Sequence, residues 1–284
     1  MAALVAGGAR PLKCSVDEYL ADPCAVPSLS SGVAHALVAL TPEAAYAKHP
    51  RLGGVGGAPG SKAMNDGTLI HNLLLGKGKD VVVIDAPNYQ TKLAQTARDQ
   101  AIAAGRVPVL RHESERLAIV ANILRDKLLA KGVVFGGQSE FAVEWLDAGD
   151  VHCRCMFDHV YIDEGWIFDL KKVARLNPRE LSRCFVQNGL DIQYAAYTRA
   201  LAALRPELAG RIDMAFVYVD IEPPYGVWVG RPDGAHREIG TVRWEQALRI
   251  WKECLAADRW PGWGDGVIEA PPWVIAQELG SMDL

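Results

Sequence analysis

Three extended segments follow one another between residues 138 and 172, and they constrain the fold more than any other feature of the chain. Gln138 to Trp145, Val151 to Ile162 and Trp166 to Lys172 are rich in β-branched and aromatic residues. Only Asp147-Ala148-Gly149-Asp150 and Asp163-Glu164-Gly165 separate them, and both are turn sequences. The expected product is a three-stranded antiparallel meander.

On either side the patterning is mostly helical. Ser28-Leu29-Ser30-Ser31 reads as a helix start continuing through Val33 to Leu40, and Thr41-Pro42-Glu43 opens another helix with threonine as its cap. Met64 to Leu75 and residues 90–104, 113–131, 178–187, 189–204 and 238–258 complete the expected helices. Val81 to Ile84, Ala215 to Ile221 and Gly226 to Val229 are further strands. Residues 52–61 form a glycine-rich loop without the Lys-Ser/Thr ending of a phosphate-binding loop. The simplest assembly is one α/β domain with a central mixed sheet flanked by helices. Its expected limits are residues 28–263, preceded by a loosely packed arm at 1–27. A tail at 264–284 follows; the irregular Pro-, Gly- and Trp-rich run begins at Trp260 and is expected to pack on the body.

Half of the 284 residues are hydrophobic, enough for a substantial core. No apolar run is long enough to span a bilayer, and Met1 to Asp22 lacks the apolar stretch of a signal peptide. A soluble, cytoplasmic chain without a membrane partner is expected. The six cysteines make no paired CxxC pattern for zinc and no set of four for an iron–sulfur cluster. Cys153 and Cys155 should lie buried and reduced on one strand face. The net charge of −4 is mildly unusual for a nucleic-acid protein, but a local basic groove is compatible with it.

The chemistry concentrates in the meander. Asp158 lies in its second strand, and Asp169-Leu170-Lys171 lies in the third. Across a tight turn the two carboxylates can stand side by side, and Asp169 and Lys171, two apart, leave the same strand face. Glu140 begins the preceding strand. Two carboxylates and a backbone carbonyl suit a hard divalent cation, and a lysine beside them can orient water or stabilise developing negative charge. Taken alone the triplet is equally a surface salt bridge. Its setting between apolar segments, Val160-Tyr161-Ile162 and Ile167-Phe168, gives it weight. Basic residues follow it: Lys172, Arg175, and Arg179 and Arg183 at i,i+4 on the next helix. They are candidate DNA-phosphate contacts.

A set of motifs makes the reading more specific. It comprises Gly67-Thr68-Leu69-Ile70-His71-Asn72-Leu73-Leu74-Leu75, Cys153-Arg154-Cys155 ahead of Asp158, Trp166-Ile167-Phe168-Asp169-Leu170-Lys171, Gln193-Tyr194-Ala195-Ala196-Tyr197, and Trp260-Pro261. In order and spacing the set resembles the C-terminal nuclease domain of the exonuclease VIII (RecE) family, over roughly Ser28 to Trp263. The resemblance implies a PD-(D/E)xK (restriction-endonuclease-like) core, acting as a magnesium-dependent, ATP-independent 5′→3′ exonuclease on double-stranded DNA ends. Manganese would be the alternative ion. The product would be a 3′ single strand for recombination by annealing. The resemblance also implies a homo-oligomeric ring, a single-strand annealing protein as partner, and a phage or prophage gene in a bacterial host.

By the same resemblance Asp158, Asp169, the Leu170 carbonyl, Glu140 and His71 would surround the metal. Lys171 would be the catalytic lysine, and Gln193 and Tyr197 would contact DNA or the attacking water. Phe157 and Lys172 depart from the family pattern, which commonly has proline and Thr or Ser there. Two other readings share the core: an endonuclease or repair nuclease of different polarity, and a catalytically silent DNA-binding scaffold.

Overall fold

A computed structural model of the protein describes residues 8–54, 61–148 and 150–278. Most of the glycine-rich loop, residues 55–60, lies outside the described residues, as does Gly149 in the first meander turn. In chain order the elements are β1 (Ala9–Leu12), α1 (Val16–Leu20), α2 (Ser31–Ala39), α3 (Pro42–Lys48), α4 (Lys62–Leu75), β2 (Val81–Ile84) and α5 (Lys92–Ala103). Then come β3 (Val107–Leu110), α6 (Arg111–Leu129), β4 (Gln138–Asp147), β5 (Val151–Tyr161), β6 (Trp166–Val173), α7 (Pro178–Cys184) and α8 (Leu190–Leu204). The chain ends with β7 (Asp213–Asp220), β8 (Val227–Gly230), α9 (Gly234–Ala257) and α10 (Pro272–Glu278).

A six-stranded mixed sheet runs in the order β1-β4-β5-β6-β7-β8. The meander β4–β5–β6 is antiparallel as expected, and β6 pairs in parallel with β7 through the α7–α8 crossover. One core lies between the sheet and α2, α8 and α9, and it includes Trp145, Phe157, Phe216 and Trp244. A second core lies on the opposite face under α4 and α6, and includes Ile70, Leu117, Leu124, Leu170, Val217 and Val219. Along β7 the alternation is plain: Met214, Phe216 and Tyr218 enter the first core, Val217 and Val219 the second. Cys153 and Cys155 are buried, unbridged and both in the first core.

The helix starts follow their caps. Ser30 caps α2, Thr41 caps α3 with proline in the first turn, Ser61 caps α4 and Thr91 caps α5. Two short strands escaped the sequence reading. β3 follows α5 and pairs in parallel with β2 in a separate two-stranded sheet. β1 pairs antiparallel with β4, Ala9 opposite Trp145 and Leu12 opposite Ala142, so this part of the N-terminal stretch is tied to the sheet rather than loosely packed.

Asp22 fastens the same stretch. Its buried carboxylate accepts from Ser28 N and Oγ at 2.9 and 2.8 Å and faces His49 Nε2 at 3.2 Å and Arg154 Nη1 at 3.3 Å. Burial alone would raise the Asp22 pKa, but the His49 hydrogen bond, Arg154 and Ser28 hold it down at about 2. At the other end Trp260 packs on Tyr46 and Trp251, and the Pro261 carbonyl accepts from Glu43 N. Residues 261–270 beyond Trp260 are exposed.

Candidate active site

The ladder between β5 and β6 ends early. Tyr161 faces Trp166, Val160 faces Ile167 and His159 faces Phe168, and the pairing stops there. The next residues in the same register are Asp158 and Asp169. Beyond them β5 stays with β4 and β6 stays with β7, so the sheet forks at the two carboxylates. Asp158 Oδ2 accepts the Leu170 N–H at 2.8 Å, a donor freed by the end of the ladder.

A second irregularity stands beside the fork. Glu140 falls opposite Asp158 in the β4–β5 register, between the pairs Ser139–His159 and Phe141–Phe157, and the ladder is interrupted there. Its φ is +50°, a conformation costing a non-glycine residue roughly 1–2 kcal/mol. Side-chain alternation breaks at this level. Phe157 enters the α8/α9 core, whereas His159, two residues on, packs against Phe135 on the other face. The break takes Glu140 and Asp158 out of the regular ladder and leaves both lining a cleft of about 730 Å³.

α4 closes that cleft from one side. Its His71 stands between the acids, with Nδ1 3.3 Å from Glu140 Oε1 and Nε2 3.3 Å from Asp158 Oδ2. On the other side Lys171 Nζ lies 2.6 Å from Asp169 Oδ2, and Gln193 Nε2 of α8 donates to Asp169 Oδ1. Leu170, Lys171, Lys172 and Tyr197 also line the cleft. Tyr197 packs edge-on against Phe157 at 5.4 Å between ring centres.

The charges are strongly coupled. Burial drives the Glu140 carboxyl from the ordinary 4.5 up to about 7 against the pull of His71. Burial also raises Asp169, although Lys171 opposes it. Asp158 moves the other way: burial would raise it, but His71, Lys171 and the Leu170 N–H bring it down. Burial would lower His71 and Lys171, but the neighbouring carboxylates raise both and favour their cationic forms.

Among the described residues no three His, Cys, Asp or Glu side chains form a preformed metal cage. In this arrangement His71 is lodged between Glu140 and Asp158, and Lys171 sits on Asp169. The donors nevertheless suit a hard cation. Asp169 Oδ2 is buried with the Lys171 ammonium at 2.6 Å as its partner, and oxygen donors stand on both sides of the fork. His71 contacts carboxylates in this arrangement, while Gln193 lies behind Asp169 and outside the cleft lining.

The predicted phosphate contacts divide. Lys172 lines the cleft; Arg175, Arg179 and Arg183 are exposed outside its lining. Two features went unread in the sequence. Val16, Tyr19 and Leu20 of α1 form part of the wall, and so does Lys79. A signal for α1 was present, because Ser15-Val16-Asp17-Glu18 has the spacing of a capping box and both of its hydrogen bonds form.

The model of a PDDEXK-like domain of unknown function (DUF3799) matches residues 41–267. The chain belongs to this PDDEXK-like family. No curated protein matches it. Among solved structures, the PDDEXK-like chain is similar to a crystal structure described as a "Putative exonuclease" from Eubacterium rectale. The identity is 14%, the coverage 95% of this chain and 99% of that one, and the TM-score 0.60. At that identity the likeness establishes a shared fold. The central mixed sheet flanked by helices is therefore a PDDEXK-like nuclease core. No helix among the described residues of this family member is long and apolar enough to cross a membrane.

Proposed function

We propose that the protein is a magnesium-dependent, ATP-independent DNA exonuclease that digests double-stranded ends 5′→3′ and leaves a 3′ single strand for recombination by annealing. The observation that carries this reading is the fork, which presents Asp158 and Lys171 to one cleft with Asp169 and Gln193 behind them. The RecE-like motif set supports the polarity and the recombination role. The homo-oligomeric ring, the annealing partner and a cytoplasmic setting in a phage-carrying bacterium rest on the same resemblance.

Asp158, Asp169 and the Leu170 carbonyl would hold the magnesium ion, with Glu140 at the border. When bound, the ion supplies neutralisation of phosphate charge and a more acidic water. The protein's own groups do the rest. Gln193 fixes the Asp169 carboxylate by its amide donor, and the Leu170 N–H fixes Asp158. His71 holds Glu140 and Asp158 apart while balancing their charge. Lys171, held as a cation between Asp169 and Asp158, stands ready to stabilise charge on the phosphate as water adds to phosphorus and the sugar oxygen leaves. Lys172 offers a phosphate contact at the cleft wall.

The test is digestion of linear duplex labelled at one 5′ end, beside closed circular and single-stranded DNA, with Lys171→Ala as control. Magnesium-dependent loss of the 5′ label from linear duplex alone, absent in the variant, is the expected result. Cutting of circles would move the assignment to an endonuclease on the same core. DNA binding without any cleavage would move it to a silent scaffold.

A further inference from the structure

Behind the cleft, a chain of hydrogen bonds joins the three segments that carry Asp158, Glu140 and His71. His159 is fully buried and stands opposite Ser139 in the β4–β5 register. Asp158 precedes it on β5, and Glu140 follows Ser139 on β4. The third segment is the last turn of α4. Ser139 Oγ lies 3.0 Å from the Leu75 carbonyl, and Leu75 is one helical turn beyond His71. His159, Ser139 and Leu75 themselves stand outside the cleft lining.

The protons of this chain have one arrangement. The Gly137 N–H meets His159 Nε2 at 2.9 Å, and a backbone N–H can only donate, so Nε2 carries no proton. The neutral ring therefore carries its proton on Nδ1, which donates to Ser139 Oγ at 2.9 Å. The serine hydroxyl gives its own proton to the Leu75 carbonyl, which can only accept. Every donor meets an acceptor, in one direction, from the segment before β4 to the end of α4.

The surroundings keep the ring in place. Phe135 and Tyr161 meet it edge-on, each at 5.2 Å between ring centres. Tyr161 Oη accepts from Gly136 N at 2.9 Å and donates to the Val134 carbonyl at 2.7 Å, so alternate residues of β5 hold the segment 134–137. Gly137 has no room for a side chain, because a Cβ there would collide with the Val160 carbonyl oxygen. Lys77 Nζ adds a second tie between the end of α4 and β4, donating to the Ser139 carbonyl at 3.2 Å.

We infer that His159, as its Nδ1–H tautomer, and Ser139 are positioning residues that fix the distances among Asp158, Glu140 and His71, and so set the affinity of the site for a divalent cation. This rests on the metal-nuclease reading and adds two residues that act only through their neighbours. Glu140 needs such support: at a φ of +50° a non-glycine residue persists only where the surrounding structure holds it.

Two measurements test the inference. Long-range proton–nitrogen NMR of the ¹⁵N-histidine-labelled protein near neutral pH, assigned with His159→Gln, reads the tautomer in wild type. An Nδ1–H ring is expected, and an Nε2–H ring or a doubly protonated ring overturns the inference. Binding of manganese alone, followed by electron paramagnetic resonance, is compared in wild type, Ser139→Ala, Ser139→Thr and Val143→Ala. Val143 is a fully buried position of β4 in the core on the α8 and α9 side. Loss of a partner outside the ligand shell typically lowers metal affinity about 10- to 100-fold, so Ser139→Ala should weaken manganese binding about tenfold. Ser139→Thr keeps the hydroxyl and should bind within about threefold of wild type. Val143→Ala should lower the unfolding temperature and leave manganese binding within about twofold. Manganese binding by Ser139→Ala within about twofold of wild type, or an equal loss in Val143→Ala, overturns the positioning role and leaves the metal-nuclease reading standing. A wild type that binds no manganese overturns that reading and this inference together.

Discussion

Glu140→Gln should make the metal-free protein more stable at pH 8, and the gain should fade as the pH falls. The carboxyl is nine-tenths buried, and its pKa rises from 4.5 to about 7 chiefly through burial. The folded state thus holds this proton more tightly than the unfolded chain does. Stability is fully present below about pH 4.5 and is lost as the pH rises through about 7. A displacement of that size corresponds to about 3 kcal/mol at roughly 1.4 kcal/mol per pH unit. Glutamine keeps the shape without the charge, and Asp158 remains as a partner for His71 at 3.3 Å. The variant should exceed wild type by about 3 kcal/mol at pH 8, or roughly 5 °C in Tm, and by less than about 1 kcal/mol at pH 5. Urea unfolding with a chelator present, read by tryptophan fluorescence, measures both; Trp145, Trp244 and Trp251 are fully buried reporters. Equal stabilities at pH 8, or a gap that does not change between the two pH values, would refute the reasoning that this acid is kept in place at the expense of stability.

Other outcomes follow from the same geometry. Asp169→Ala should abolish magnesium-dependent cleavage with a retained circular-dichroism spectrum, and full cleavage by this variant would remove Asp169 from the site. Gln193→Leu, which removes the donor to Asp169 Oδ1, should raise the magnesium needed for half-maximal cleavage by roughly 10- to 100-fold, measured by metal titration of initial rates. Asp22→Asn should destabilise the protein by roughly 3–5 kcal/mol, because Arg154 and His49 are left buried without their anion; chemical denaturation reads this directly. Since the folded pKa of Asp22 is depressed to about 2, its contribution of about 2 kcal/mol is present above pH 4 and lost as the pH falls toward 2. Acid titration of wild type against Asp22→Asn should show that difference.

The sequence by itself determined the meander, most of the helices and the identity of the central residues. Alternation and tight turns are local, so β4, β5 and β6 were legible from residues 138–172, and so was the shared face of Asp169 and Lys171. Caps such as Thr41 and Ser61 act within one turn and could be read the same way. β1 and β3 could not be: each has four residues and carries a proline, Pro11 and Pro108, which weakens a strand pattern, whereas the equally short β2 and β8 have none. Only the tertiary structure decided that the β5–β6 ladder ends at His159 and Phe168 while β6 stays paired along its other edge with β7, more than forty residues later in the chain. The left-handed backbone of Glu140 within β4, the lodging of His71 between two acids and the placing of Gln193 behind Asp169 likewise join segments far apart in the chain. The same holds for α1, whose capping box is local but whose place in the cleft wall is set by β1 on β4 and by Asp22 on Arg154. Local pattern selects residue types and elements. Which charges end up facing one another is fixed by strand order and burial, and these are properties of the whole sheet.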